Sequence, residues 1–292
     1  MRDMSAALKS ALRRWKAGVG KCSHGAYYSV NIHFIAVVIA AIAVPAIFAL
    51  AWVWAVKIDN YSLVDAFWAF GIGATAWFWL ALGPGDPAVR MAAAAVVGFW
   101  SLRLGGYLHR RIHRAHPQED ARYAKLREAW KGRERSAFFG FFQMQAVSVL
   151  LLALPFLAIS NKAGPWGGVE SIGLVIVLAG LVGESMADRQ MAAFKRGNPD
   201  SKAVCRVGLW RYSRHPNYFF ESVIWWGFYL VACGSPWGWA TIHAPIAITW
   251  LLLRVTGIPP TEAAAVARKG NAYREYQKTT SPFIPLPPKK KF

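Results

Sequence analysis

The sequence predicts an all-α integral membrane protein of about seven transmembrane helices. Three observations carry that expectation. Seven apolar runs each approach the roughly 20 residues that a helix needs to cross a bilayer. The 292 residues are 55% hydrophobic and only 17% charged, against about 25% charged in a typical soluble domain. The 34 Lys and Arg outnumber the 15 Asp and Glu, a net charge of +19, and most of the basic residues crowd into segments between the runs.

The runs follow in order at 33–56, 62–83, 89–109, 137–159, 168–191, 218–234 and 237–257. They are continuously apolar rather than alternating, which favours helices over a barrel. The sixth is short and carries Glu221, so it reads as a tilted or partly re-entrant helix. The first run starts too far from the N-terminus for a signal peptide, and none is expected. The chain divides into a basic N-terminal segment 1–28, a membrane domain 29–286 and a basic tail 287–292. No second, soluble domain and no internal repeat is apparent.

Charge placement sets the orientation. Residues 110–135 hold nine Lys and Arg, 189–214 hold seven and 254–292 hold eight. The positive-inside rule makes these three segments cytoplasmic. Seven spans then put the C-terminus inside and the N-terminus outside. The six basic residues of 1–28 run against that assignment. They fit either a basic amphipathic helix on the cytoplasmic surface, with one span fewer or more, or an exception to the rule. The charge itself has two readings. One is topology together with attraction to the anionic headgroups of membrane lipids. The other is a cytoplasm-facing cavity for an anionic cofactor, because the basic segments converge on one side. Nucleic acid is excluded as a partner, since the apolar runs are too long for a soluble core. The Ala-rich composition points to a bacterial inner membrane. Lys289-Lys290-Lys291-Phe292 would form a dilysine retrieval signal in a eukaryotic host.

Ionisable residues at membrane depth are costly and usually functional. Here they are Asp65, Arg103, Glu184, Asp188, Glu221 and Arg254. An internal ion pair or a snorkelling side chain explains Arg103 and Arg254. Asp65 and Glu221 have aromatic neighbours (Phe67, Trp68; Phe219, Phe220, Trp225, Trp226). An apolar wall favours the protonated, neutral carboxyl, which can donate a hydrogen bond to a carbonyl oxygen. The phenol of Tyr107 can do the same.

Other chemistries are weakly represented. His109, His113 and His116 stand at i, i+4 and i+7, but a di-iron membrane oxygenase needs several such boxes and the chain has seven histidines. No metal is expected. Cys22, Cys205 and Cys233 include no CxxC pair, which argues against a structural zinc site or a disulfide scaffold. There is no GxGxxG after a strand, no GxxxxGK[ST] and no GxSxG. Gly71 and Gly73, inside an apolar run, suit close helix packing.

The densest motif is Gly208-Leu209-Trp210-Arg211-Tyr212-Ser213-Arg214-His215-Pro216-Asn217-Tyr218-Phe219-Phe220-Glu221. It puts cations, an amide and a carboxylate at the mouth of a membrane helix. An ordinary snorkelling helix start has the same composition. The motif resembles the C-terminal domain of the steroid 5-alpha-reductase superfamily, in its bacterial branch. Ser62-Leu63-Val64-Asp65-Ala66-Phe67-Trp68 is similar to that branch's N-terminal signature. Asn271 to Lys278, followed by Ser281-Pro282-Phe283-Ile284-Pro285, is similar to its ending. The resemblance covers roughly residues 60–286.

The resemblance implies a seven-helix fold with a cavity open to the cytoplasm. It implies NADPH-dependent reduction of a carbon–carbon double bond conjugated to a ketone, in a hydrophobic enone such as a 3-oxo-Δ4 steroid. Tyr107-Leu108-His109-Arg110 is similar to the family's Tyr-x-His-Arg stretch, which makes Tyr107 the donor to the substrate ketone and adds Arg110 to the cofactor side. Asp65 becomes the acidic partner in the second helix, where the reductases have glutamate at a different spacing. Asp188 and Lys195 fall where the family has an Asp and, seven residues on, an Arg. Lysine keeps the charge without the bidentate fork. Asn217 matches the asparagine near the nicotinamide amide, and Glu221 the glutamate four residues later. Arg214, Tyr218 and Arg254 complete the expected cofactor contacts, with Tyr273 in the C-terminal stretch. The expected enzyme is a monomer.

Two rivals remain. Isoprenylcysteine and phospholipid methyltransferases also carry an Arg-His-Pro-x-Tyr motif at a membrane helix mouth and bind S-adenosylmethionine. They end on a Tyr-x-x-Tyr-like stretch, as in Tyr273 to Tyr276. Their paired glutamates are not matched, because Ala263 follows Glu262, and Phe219-Phe220 stands where they have glycine. A transporter or scaffold that keeps the fold would also bury polar residues along a cavity.

Overall fold

The structure, a computed structural model, describes residues 34–198 and 202–289. Segment 1–28, with Cys22 and His24, lies outside the described residues, as do His33 and Lys290 to Phe292. Among the described residues all regular elements are helices, and one isolated bridge joins Ser213 to Ser281.

The long helices are α1 (Phe34–Lys57), α2 (Leu63–Leu82), α3 (Pro87–Ala115), α5 (Glu134–Ile159) and α6 (Gly168–Gly197). A short helix, α4 (Ala121–Ala129), lies between α3 and α5. Beyond α6 come α7 (Pro216–Cys233) and α8 (His243–Trp250). A π-helical turn, Leu251–Val255, then leads into α9 (Ile258–Lys269) and α10 (Asn271–Thr279). Six helices among the described residues are long and apolar enough to span a bilayer, the last covering Gly238–Lys269 through a π-helical turn and a bend at Thr256-Gly257. The chain is therefore a multi-pass membrane protein. The expectation is about seven; α7, at 18 residues, is long enough but less apolar than these six. Asn217, Tyr218, Glu221 and Ser222 occupy its first turns. It is nevertheless deeply packed, with α6 along its length.

Local chemistry sets the helix starts. Asp86 caps α3 by accepting from the N–H of Ala88 and Val89, at 2.9 and 3.1 Å, and Pro87 occupies the first turn, where no N–H is needed. Pro216 opens α7 in the same way. Pro155 inside α5 is tolerated in a spanning helix.

Two ends of the bundle are tied separately. At one, Gly85 and Asp86 donate backbone N–H to Ser160 O and Lys162 O, and Lys162 Nζ reaches the buried Glu170 carboxylate at 2.9 Å. The other end carries the basic segments. There Tyr61 N–H donates to Glu119 at 2.7 Å and Arg127 pairs with Asp59 at 2.8 Å. Lys195 of α6 lies within charge reach of Arg111 of α3 and Arg268 of α9, so all three basic segments meet on this face.

Close helix pairs rest on small residues. Gly73 of α2 faces Ser101 of α3, whose hydroxyl donates to Ala69 O at 3.0 Å. Gly173 of α6 and Gly227 of α7 face each other: a Cβ on either would stand 2.9 Å from the other's carbonyl oxygen. That contact is backbone on backbone, so it cannot be relieved by a rotamer change. Gly227→Val should destabilise the detergent-solubilised protein by about 1–3 kcal/mol, as overpacking does, seen as a lower midpoint in thermal unfolding. Gly140→Val, at a glycine with nothing within 4 Å, should leave the midpoint unchanged.

Candidate functional site

The polar side chains of the bundle's interior collect where α3, α6 and α7 meet. On α3, Trp100, Arg103 and Tyr107 follow at i, i+3 and i+7 and share one face. On α6, Glu184 and Asp188 stand one turn apart. On α7, Asn217, Glu221 and Trp225 repeat at i, i+4 and i+8. α3 and α6 touch sparsely. What joins them is Arg103, which pairs with Glu184 and donates from Nη1 to Asp188 Oδ2 at 3.1 Å.

The arrangement is layered. Nearest the basic end lie Tyr107, Asp188, Asn217 and Tyr218; Tyr107 is 48% exposed and lies within charge reach of Arg111, Asp188 and Tyr218. One turn deeper are Arg103, Glu184 and Glu221, the two carboxyls 5% and 8% exposed. Beneath them Trp100 and Trp225 meet edge to face at 5.4 Å and close the floor. Both indoles donate to Glu221, Trp225 Nε1 to Oε1 at 2.9 Å and Trp100 Nε1 to Oε2 at 3.0 Å.

The mouth of α7 is held by Glu262 of α9. Its Oε1 accepts from Arg214 Nε at 2.6 Å and lies 3.2 Å from His215 Nε2, while Oε2 accepts from Gln277 Nε2 at 2.8 Å. Arg214 also donates to the carbonyls of Gln277 and Thr280, at 2.9 and 2.6 Å. Its backbone N–H goes to Ser281 O. His215 stacks on Tyr218, whose hydroxyl is 3.2 Å from Thr261 Oγ1. The C-terminal segment crosses the same turn: Ser213 Oγ donates to Phe283 O at 2.7 Å and Leu286 N–H to Tyr212 O at 3.0 Å. Tyr273 is buried beside Tyr276, and burial pushes its phenol well above the ordinary value.

The structure thus brings together Tyr107, Asp188, Asn217, Tyr218 and Glu221 and separates the other expected residues. Asp65 belongs to a different cluster. It accepts from Arg122 Nη2 and from Tyr123 Oη, each at 2.6 Å. The apolar wall expected around it is corrected: its partners are a guanidinium and a phenol, both supplied by α4. Asp120 beside it bonds Arg122 and Arg111. Burial alone would raise its carboxyl, but these two guanidinium groups outweigh burial and hold it below the ordinary value. Arg214 and Tyr273 face the Glu262 knot rather than the α3–α6–α7 crevice. Arg110, Lys195 and Arg254 are exposed, Arg254 on the π-helical turn. His109 and His113 stack at 6.3 Å on exposed α3. Among the described residues, no group of three His, Cys, Asp or Glu could hold a metal ion.

Glu262 is the functional-site residue that sequence reasoning did not single out. The signal was indirect: Arg214 and His215 adjacent at a helix mouth require a counter-charge, and the helix supplying it, α9, lies 48 residues away from Arg214.

The donor set suits a dinucleotide. Asn217 Oδ1 is buried at the mouth without a hydrogen-bond partner, and a carboxamide N–H of nicotinamide would satisfy it. Lys195 lies within charge reach of Arg111, Arg268 and Lys269 on the same face. Such a cluster suits phosphates.

Comparisons with known proteins place the chain. A family model described as "Protein of unknown function (DUF1295)" matches residues 51–280, and the chain belongs to that family, which is related to steroid 5-alpha-reductase-like proteins. The uncharacterized protein C594.04c of Schizosaccharomyces pombe is 28% identical over 262 residues, spanning 80% of this chain and 75% of that one. No solved structure matches the chain.

Removing one member of a buried ion pair leaves the other uncompensated. Glu262→Ala should therefore destabilise the protein by about 3–5 kcal/mol, read from thermal unfolding. Glu262→Gln, which keeps a carbonyl acceptor for Arg214, should fall between the alanine variant and the parent. Equal midpoints for all three would remove Glu262 as the anchor of the α7 mouth.

Proposed function

From the motif resemblance and the side chains gathered where α3, α6 and α7 meet, we propose that the chain is a membrane-embedded, NADPH-dependent reductase. Its substrate is a carbon–carbon double bond conjugated to a ketone in a hydrophobic, steroid-like molecule. The carrying observation is the convergence of Tyr107, Asp188, Asn217, Tyr218 and Glu221, from three helices, on the α3–α6–α7 junction around Arg103, toward the face that carries Lys195 and Arg268. The proposal places the crevice on the cytoplasmic side of a bacterial inner membrane, in a monomer, because the basic segments share that face.

NADPH supplies the hydride that goes to the β-carbon of the enone. Asn217 binds the nicotinamide carboxamide, and Lys195 with Arg268 neutralises phosphate charge. Tyr107 donates its phenolic hydrogen to the substrate ketone and stabilises the enolate oxygen as charge develops there. Where bound substrate covers the half-exposed Tyr107, one such donor contributes about 3 kcal/mol. The indole floor of Trp100 and Trp225 excludes water from the reacting carbons. Asp65, committed to Arg122 and Tyr123, acts in holding α4 against α2 rather than on the ketone.

The test has two parts. Thermal unfolding of the detergent-purified protein is followed with NADPH, NADH, S-adenosylmethionine or no ligand, since ligand binding to the native state raises the midpoint. A rise with NADPH is expected, and enones are then screened by loss of nicotinamide absorbance. Tyr107→Phe should keep the NADPH shift and lower turnover about 100-fold, the scale of a lost oxyanion donor. A rise with S-adenosylmethionine alone would replace the proposal by methyl transfer. Unchanged turnover in Tyr107→Phe would remove Tyr107 from the chemistry.

A further inference from the structure

Hydride addition leaves the reaction one proton short, and the crevice contains side chains placed to supply it. Glu184 of α6 and Glu221 of α7 are both buried, on the sides of the two helices that pack where Gly183 meets the Phe220 ring. Every other charged or titratable group facing them can be named. From α3 come Arg103 and Tyr107, from α6 Asp188, and from α7 Tyr218. α2 contributes the uncharged indole of Trp68 against Trp100. α8 contributes Thr249, bonded to Ser222 of α7 at 2.7 Å. One guanidinium thus faces three carboxyl groups at membrane depth, where unbalanced charge is costly. Arg103 is committed to Glu184 and Asp188. Glu221 receives only neutral indole N–H groups from Trp100 and Trp225. The pair therefore sits where a retained proton is the cheapest neutralisation.

We propose that Glu184 and Glu221 hold one proton between them, and that this acid pair delivers it to the α-carbon to complete the reduction. The inference rests on the reductase reading above. As the β-carbon gains hydride from NADPH, the π pair moves onto the carbonyl oxygen held by Tyr107. The enolate then collapses. Its α-carbon takes the proton from the carboxyl pair, and the carbonyl re-forms. NADPH is oxidised to NADP+ and the enone is reduced. The carboxyl pair regains a proton from water at the basic face. The position is suitable, because the pair lies one helical turn, about 5.4 Å, below the layer of Tyr107 and Asn217. Glu221 is on this account a catalytic residue, and Trp100 and Trp225 are positioning residues that hold it.

Infrared spectroscopy of the ligand-free protein, prepared with and without carbon-13-labelled glutamate, tests the proton directly. The proposal expects a protonated glutamic acid carbonyl band that moves with the label and is lost in Glu221→Gln and in Glu184→Gln. Absence of that band in the unsubstituted protein overturns the shared proton, with no variant needed. Glu221→Gln keeps an acceptor for both indoles. It should retain the NADPH midpoint shift while lowering turnover at least about 100-fold, within the range of a lost general acid. It should also lose the solvent deuterium isotope effect of the parent's proton-transfer step. Parent-like turnover in Glu221→Gln overturns the donor role even if the band is present. If the unsubstituted protein binds NADPH and reduces no enone, the reductase reading fails, and the infrared result still decides the proton.

Discussion

Arg103 bridges α3 to α6, and it is the interaction on which the interior arrangement turns. Its guanidinium binds Glu184 and Asp188 on α6. It thereby fixes the rotation of α3 that aims Trp100 at Glu221 and Tyr107 at Asp188 and Tyr218. Apolar packing alone would not specify that rotation, because apolar side chains on neighbouring faces of a spanning helix are nearly interchangeable in lipid. A buried ion pair adds little net stability, and its best-attested use is to fix register. The sparse direct contact between α3 and α6 makes the pairing a strut across a crevice rather than a filler of one.

The remaining scaffold supports that crevice from two sides. Gly173 and Gly227 bring the backbones of α6 and α7 together, so Glu184 and Glu221 are buried rather than turned to lipid. At the basic end, Glu262 ties Arg214 and His215 to α9 and α10, and the C-terminal segment is laced over the same turn. Asn217 and Tyr218 begin α7 immediately after that knot, so their positions follow from it. The second cluster, Asp65 with Arg122, Tyr123 and Asp120, fastens α4 beneath α2. It is a structural counterpart to the Glu262 knot on the other flank of α3.

Much of the fold was legible in the sequence because long apolar runs in this chain have one solution. The runs at 62–83, 137–159 and 168–191 appear as Leu63–Leu82, Glu134–Ile159 and Gly168–Gly197. Helix ends were less legible: α3 and α6 continue past the apolar stretch into basic turns that composition alone reads as loop. The run at 218–234 reads as a span, whereas the helix that contains it, α7, begins with Asn217 and carries the buried Glu221, which lower its apolarity. For the site, local sequence identified Tyr107, Asp188, Asn217 and Glu221 as chemically unusual, but not which of them meet. Aromatic neighbours in sequence suggested an apolar wall for both acids. On a helix, adjacent residues point in different directions. Thus Phe67 and Trp68 do not shield Asp65, whereas Trp225, one turn from Glu221, does contact it. Glu262 was illegible because its partners are distant in sequence.

The strut itself can be measured. A double-mutant cycle of Arg103→Met and Glu184→Gln, read by reversible unfolding in detergent, isolates the pairwise coupling between α3 and α6. The arrangement described here predicts a favourable coupling above about 1 kcal/mol, with Arg103→Met alone abolishing any NADPH-induced shift because the crevice loses its register. Additivity within about 0.5 kcal/mol would contradict it, since Arg103 would then not hold the two helices together.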